Sequence, residues 1–196
     1  MKLLLSGEGY DDIGDWAKEP MYRSKPPEAG VIEALLRKLE AGEITVREAV
    51  PWKKIAKFRA GDHAHPETRN VLGLAVKADD MRCDALVFVR DRDRDEDRQA
   101  DIENGIKLAQ SKFPDLAIAG GVAVEEIEAW ILAILGERRS ERHADPKTVL
   151  KQNHSIAGRA SMLSALEDKT LGQIPIDATS LRTWLARAAA ALSRVR

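Results

Sequence analysis

Apolar and polar positions along this chain follow two periods, one typical of buried strands and the other of amphipathic helices. Strands that alternate with helices indicate an α/β fold, in which helices cover both faces of a mainly parallel sheet. Short apolar runs predict the strands, at residues 2–6, 44–50, 84–89 and 116–124. Apolar residues spaced three and four apart predict the helices, at residues 28–41, 71–78, 102–113, 127–135 and 181–192.

The chain has 196 residues, of which 44% are hydrophobic, and this suits a single α/β domain spanning residues 1–196. Residues 140–196 are expected to form a helical C-terminal extension, whose last helix has Thr179 or Ser180 as its N-cap. Residues 15–28 contain three prolines and show little periodicity, so they are expected to form an irregular excursion, either a lid or a loop.

The amino terminus and the cysteine content bear on the compartment. Only three consecutive large apolar residues, Leu3 to Leu5, occur near the start, which is too few for a signal-peptide core or a membrane span. The single cysteine, Cys83, excludes an intrachain disulfide and a multi-cysteine zinc site. We therefore expect a soluble, cytoplasmic protein with no membrane partner.

Charge is unevenly distributed along the chain. The net charge is -1, yet residues 147–196 hold eight Lys and Arg against three Asp and Glu, which gives them +5 and leaves -6 for residues 1–146. A basic region beside an acidic site could hold a phosphate backbone while a metal ion acts on it. The same charges could equally be ordinary solvated helix faces.

The candidate chemistry lies where two predicted strands end. Glu8 follows the first strand, and Asp91 and Asp93 follow the strand at 84–89, within a run of alternating Arg and Asp. Ligands of open α/β sheets bind at the carboxyl ends of the strands. Two carboxylates about 4 Å apart repel by roughly 4 kcal/mol at an effective dielectric of 20, so this grouping requires a proton or a cation.

Oxygen ligands without Cys or His favour Mg²⁺ or Mn²⁺ over zinc. In this interpretation Asp91 and Asp93 hold the ion, and Glu8 is a second ligand or a general base. The alternative is a solvated, self-neutralising turn at a helix N-terminus, which suits Asp95 to Asp97 best. His63 and His65 could contact a metal or a phosphate, although isolated histidines in a polar loop are more often simply exposed.

Two motifs together make the chain resemble the Toprim domain of topoisomerases, bacterial primases and OLD-family nucleases. They are the glutamate of Glu8-Gly9-Tyr10-Asp11-Asp12 after the first strand and the Asp91-Arg92-Asp93 unit after a later one. The resemblance is closer to a Toprim-like prokaryotic family known as domain of unknown function 4276, through the segments Val124 to Leu132 and Asp145-Pro146-Lys147.

The resemblance implies a Rossmann-like fold and a Mg²⁺-dependent, nuclease-like enzyme that acts on phosphodiester bonds of DNA or RNA. It implies that Glu8 is a general acid or base, that Asp91 and Asp93 bind Mg²⁺, and that Glu128 joins the site. A partner ATPase is plausible, because similar proteins often accompany ATPases in defence or mobile-element systems.

Two other functions stay open. One is a different Asp-x-Asp metal enzyme, such as a phosphatase or a nucleotide-sugar transferase. A haloacid-dehalogenase-type phosphatase is disfavoured, because Arg94 stands where such an enzyme would want Thr or Val. The other is a non-catalytic module whose acids bind a metal or a partner structurally.

Overall fold

A parallel sheet of four strands forms the centre of the protein, in the order β2-β1-β3-β4. The structure is a computed structural model that describes residues 1–39, 43–56 and 65–194. The strands are β1 (Lys2–Gly7), β2 (Thr45–Pro51), β3 (Ala85–Asp91) and β4 (Ala117–Ala123). The predicted α/β fold with a parallel sheet is therefore confirmed.

Helices connect the strands and continue after the last one. They are α1 (Tyr10–Ile13), α2 (Val31–Leu39), α3 (Pro66–Asp80), α4 (Arg98–Lys112), α5 (Ile127–Ile134), α6 (Pro146–His154), α7 (Arg159–Glu167) and α8 (Thr179–Ser193). Residues 15–28 were predicted to form an irregular excursion. The longest regular elements there are two short 3-10 turns, Gly14–Ala17 and Pro20–Tyr22.

Side chains of the strands alternate between two hydrophobic cores, one on each face of the sheet. Leu3 and Leu5 of β1 belong to the core formed with α2, α5 and α8, whereas Leu4 belongs to the core formed with α3 and α4. Successive side chains of a strand point to opposite faces, so a strand buried on both faces is a continuous apolar run. That is why the short apolar runs predicted the strands well.

The chain connections create a crevice between β1 and β3. From β1 the chain passes through α1 and α2 to β2 on one side, and from β2 it crosses through α3 to β3 on the other side of β1. Adjacent strands whose connections leave in opposite directions leave a gap beyond their carboxyl ends, and this is where ligands bind in open α/β sheets. Glu8 follows β1 at this gap, and Asp91 is the last residue of β3.

A pair of glycines in β4 lets two large aromatic residues approach the sheet. A Cβ atom on Gly120 would lie 2.1 Å from the Phe88 ring, and one on Gly121 would lie 3.3 Å from the Trp184 ring. Trp184 of α8 also donates a hydrogen bond from Nε1 to the Phe88 carbonyl at 3.0 Å. The C-terminal helix therefore packs directly on the sheet and shares its core.

The predicted N-cap of this last helix is wrong. The helix begins at Thr179, and its N-cap is Ala178. The carboxylate of Glu141, from a distant 3-10 turn, instead accepts the backbone N–H groups of Ser180 and Leu181 at 3.0 and 3.2 Å. Local sequence cannot reveal a cap supplied by a residue about forty positions away.

Other helix boundaries also differ from the predictions, and α4 begins at Arg98 rather than at residue 102. Helix α2 begins at Val31 rather than at residue 28, and its predicted end at residue 41 lies outside the described residues. Helix α3 begins five residues earlier than predicted, at Pro66, with His65 as its N-cap. Within the described ranges, none of the helices is long and apolar enough to cross a membrane.

We predict that Gly120→Ala destabilises the protein by about 1–3 kcal/mol, because the new methyl group would collide with the buried Phe88 ring. The melting temperature should then fall by roughly 2 °C or more. Gly172→Ala is the matched control, since a Cβ atom there has no described neighbour within 4 Å. Equal melting temperatures for the two variants would contradict the close approach at Gly120.

Candidate functional site

The crevice between β1 and β3 opens into a cavity of about 180 Å³. Three of the four site residues predicted from the sequence line it, namely Glu8, Asp91 and Glu128. Further carboxylates join them, and the full acidic lining is Glu8, Asp11, Asp12, Asp91, Glu126 and Glu128. Six carboxyl groups thus face one basic side chain, Lys147, and the cavity carries a large excess of acidic groups.

Asp91 lies at the centre of this acidic group. Its Oδ1 accepts a hydrogen bond from the backbone N–H of Ile127 at 3.1 Å, at the N-terminus of α5, and this contact fixes the orientation of the carboxyl group. Burial raises the pKa of Asp91 to about 8, and repulsion by Asp12 and Glu128 adds to the effect. Near neutral pH this carboxyl group therefore keeps a proton unless a cation compensates it.

Asp12 is the second acid with a strongly raised pKa, and it was not among the site residues predicted from the sequence. It lies in the short helix α1, is only 5% exposed, and accepts the backbone N–H of Glu8 at 2.5 Å. Burial raises its pKa to about 7, with a further contribution from Glu128. Asp12 therefore holds the loop after β1 in place and adds a second acid to the floor of the cavity.

Glu126 and Glu128 enter the cavity from the start of α5. Oε2 of Glu126 is buried and lacks a hydrogen-bond partner within the described part of the chain. Burial raises the pKa of Glu126, and repulsion by Glu128 raises it further. Glu128 is itself buried, which raises its pKa, and its Oε1 lies 3.6 Å from Nζ of Lys147.

Glu8 is held in place by a chain of ion pairs that leads into the core. It pairs with Arg90, whose Nε donates to Oε1 of Glu67 at 3.2 Å. Glu67 is buried on α3, and its Oε2 accepts a hydrogen bond from Nε1 of Trp52 at 2.8 Å. Glu8 is therefore positioned through Arg90 and Glu67, and it is less free to move than an ordinary loop glutamate.

The structure separates Asp93 from Asp91. The strand ends at Asp91, and Asp93 and Arg94 then adopt left-handed backbone conformations, with φ of 50° and 61°. The Asp93 carboxylate lies 2.9 Å from Nη1 of Arg98 and lines a different cavity, of about 230 Å³. Glu126 lines both cavities, so Asp93 adjoins the site without facing Asp91.

Of the two histidines that the sequence suggested as metal or phosphate contacts, the structure describes His65. His65 is the N-cap of α3, and its Nδ1 lies 2.7 Å from a carboxylate oxygen of Asp101. It therefore anchors the start of α3 away from the acidic cavity. His63 lies outside the described residues.

The acidic lining suits a hard divalent cation in its chemistry, because it offers carboxylate oxygens and neither Cys nor His. The buried, unpartnered oxygen of Glu126 and the raised pKa values of Asp12 and Asp91 indicate a site in which one lysine does not balance the negative charge. Across residues 1–39, 43–56 and 65–194, however, no three His, Cys, Asp or Glu side chains already form a group that could hold an ion. Binding an ion would therefore require side chains to rotate inward.

Comparison with known protein families, with curated proteins and with solved structures finds no match to this chain. The Toprim resemblance therefore stays a prediction from the motifs. What the structure establishes is the α/β fold and the acidic cavity at its carboxyl edge.

We predict that Asp12→Asn and Asp91→Asn each stabilise the protein at pH 8 in the presence of a chelator. Both carboxyl groups have a pKa in the folded state above the ordinary value of 3.8, so the folded protein keeps protons that the unfolded chain has lost. The free energy of unfolding therefore falls by roughly 1.4 kcal/mol per pH unit for each group, between about pH 4 and pH 7 for Asp12 and between about pH 4 and pH 8 for Asp91. An asparagine does not ionise and avoids this loss.

The measurement is thermal unfolding of the two variants and the wild type between pH 4 and pH 8. The gain in melting temperature should be small at pH 4 and reach roughly 8 °C or more at pH 8. Asp115→Asn, at an exposed loop position, is the control and should show no such pH dependence. A gain that does not grow with pH would contradict the buried charge repulsion.

Proposed function

We propose that the protein is a Mg²⁺-dependent, nuclease-like phosphoryl-transfer enzyme that acts on phosphodiester bonds of nucleic acid. The observation that carries the proposal is the acidic cavity at the crevice between β1 and β3, where six carboxyl groups face one lysine. An α/β sheet places ligands at this crevice, and the uncompensated acids there favour a cation over any anionic cofactor.

Asp91 is the central ion ligand in this proposal, with Asp12, Glu126 and Glu128 as the other candidate oxygen donors around it. Bound Mg²⁺ or Mn²⁺ would polarise a phosphoryl oxygen and lower the pKa of bound water. Asp93 lines the adjoining cavity and is paired with Arg98, so its contribution would require that ion pair to open.

Glu8 and Lys147 would act without contacting the metal ion directly. Glu8 lines the cavity, and Arg90 holds its carboxylate there, which suits a general base that accepts a proton from the attacking water. Lys147 is 65% exposed at its side chain and lies beside Glu128, where its ammonium group can contact a substrate phosphate.

Nucleic acid is the proposed substrate because the basic C-terminal region, residues 147–196 with a net charge of +5, begins at the edge of the acidic cavity with Lys147. A partner ATPase is also proposed, and the resemblance to Toprim-like proteins is its one support.

We predict that millimolar Mg²⁺ or Mn²⁺ raises the melting temperature at pH 7.5, because the ion binds the folded cavity and not the unfolded chain. An ion concentration ten times the dissociation constant stabilises by about 1.4 kcal/mol, or roughly 3–6 °C for a chain of this size. Asp91→Asn should abolish the increase, whereas Asp93→Asn should reduce it less. An increase that is unchanged in Asp91→Asn would place the ion elsewhere.

We predict metal-dependent cleavage of labelled single-stranded or double-stranded DNA or RNA by the wild-type protein. Glu8→Gln and Asp91→Asn should lower the rate by about 100-fold or more, as expected for removal of a general base or of a metal ligand. Asp97→Asn is the control, because Asp97 is exposed and lies outside the cavity lining. Ion binding without cleavage of any of these polymers would instead favour the non-catalytic module.

A further inference from the structure

A second cavity adjoins the acidic one and differs from it in chemistry. Its volume is about 320 Å³, compared with about 180 Å³ for the acidic cavity. It is lined by residues from α5, from α6 and from the segment that enters α7. Glu128 and Lys147 line both cavities, so the two meet at this pair of side chains.

The interior of the second cavity is apolar, and its rim is cationic. Leu150 and Met162 are 1% and 0% exposed, and the partly buried Ile156 packs against the same core. Lys147 and Lys151 are both exposed and line the cavity. This combination fits a ligand with a compact apolar body and an attached anion.

Lys151 is available to such an anion, because it has no ion-pair partner within the described ranges. Lys147 pairs with Glu128, with 3.6 Å between Nζ and Oε1, so its exposed ammonium group would be shared between that carboxylate and the anion. Gly158, the N-cap of α7, lines the same cavity, and the first turn of a helix adds a partial positive charge. Two lysines and the start of α7 therefore lie around the apolar space, with Glu128 as the one acidic residue in its lining.

We propose that this second cavity binds one nucleoside of the nucleic-acid strand, next to the phosphodiester bond that is cleaved in the acidic cavity. The inference rests on the proposed function, which supplies a substrate in which nucleosides alternate with phosphates. A phosphate held by Lys147 lies at the boundary of the two cavities, so the attached nucleoside reaches Leu150, Ile156 and Met162.

The size of the cavity restricts the form of the substrate. A volume of about 320 Å³ is at the small end of ligand pockets, which span roughly 300–1,000 Å³, and it accommodates one nucleoside rather than a base pair. The nucleotide that enters it is therefore unpaired, either in a single strand or extruded from a duplex.

The test is a binding titration with adenosine 5′-monophosphate in the presence of a chelator, measured by calorimetry or NMR. Adenosine and inorganic phosphate are titrated separately, and the monophosphate should bind more tightly than either. Ala157→Trp should weaken its binding by about tenfold or more, because Ala157 is exposed and lines the cavity, which the indole would fill. Ala160→Trp is the control, because Ala160 is exposed near the start of α7 but lies outside the lining.

A second pair of variants tests the cationic rim. Lys151→Ala should weaken binding of the monophosphate by about tenfold, the loss expected for one charge-assisted hydrogen bond, while Lys107→Ala on α4 should leave it unchanged. Binding of the monophosphate no tighter than that of inorganic phosphate would overturn the proposal. So would equal affinity in Ala157→Trp and Ala160→Trp.

These outcomes are separable from those of the proposed enzyme activity, because the titration contains neither a divalent ion nor a cleavage step. Selective loss of binding in Ala157→Trp supports the nucleoside site even if no polymer is cleaved. Cleavage of a single strand with the same KM in wild type and Ala157→Trp would overturn the nucleoside site and leave the enzyme proposal intact.

Discussion

The site depends on one constraint, the electrostatic repulsion between the acidic side chains that meet where β1 and β3 end. Hydrogen-bond donors and one arginine hold these side chains in place against that repulsion. The backbone N–H of Ile127 donates to Asp91, the backbone N–H of Glu8 donates to Asp12, and Arg90 pairs with Glu8. The two backbone contacts orient Asp91 and Asp12 without neutralising them, and the pKa values of these two acids stay raised, at about 8 and about 7.

Much of the fold could be predicted from the sequence, because strands buried on both faces are continuous apolar runs. The same reasoning placed Glu8 and Asp91 correctly at the carboxyl edge, since each directly follows or ends such a run. Asp12 could not be selected, because its burial depends on how α1 folds back over the loop after β1. A buried acid has no local signature that distinguishes it from an exposed one.

The positions of Asp93 and Glu126 depended on backbone geometry that the residue pattern does not encode. Asp91 and Asp93 would point the same way if the strand continued, but left-handed conformations at Asp93 and Arg94 turn the chain away. Glu126 directly precedes the helix predicted at residues 127–135. It is the extended N-cap of α5, and it lines both the acidic cavity and the cavity that Asp93 lines.

The two cavities that share Glu128 and Lys147 give a consistent view of the proposed enzyme. The acidic cavity would hold the ion and the reacting phosphate, while the larger apolar cavity would hold a neighbouring nucleoside. The most direct measurement of the central claim is a crystal structure of the protein grown with Mn²⁺, with anomalous diffraction used to locate the ion. The account predicts an anomalous peak in the acidic cavity, coordinated by Asp91 and by at least one of its neighbouring carboxylates. The absence of a peak there at saturating Mn²⁺, or peaks confined to other parts of the surface, would contradict it.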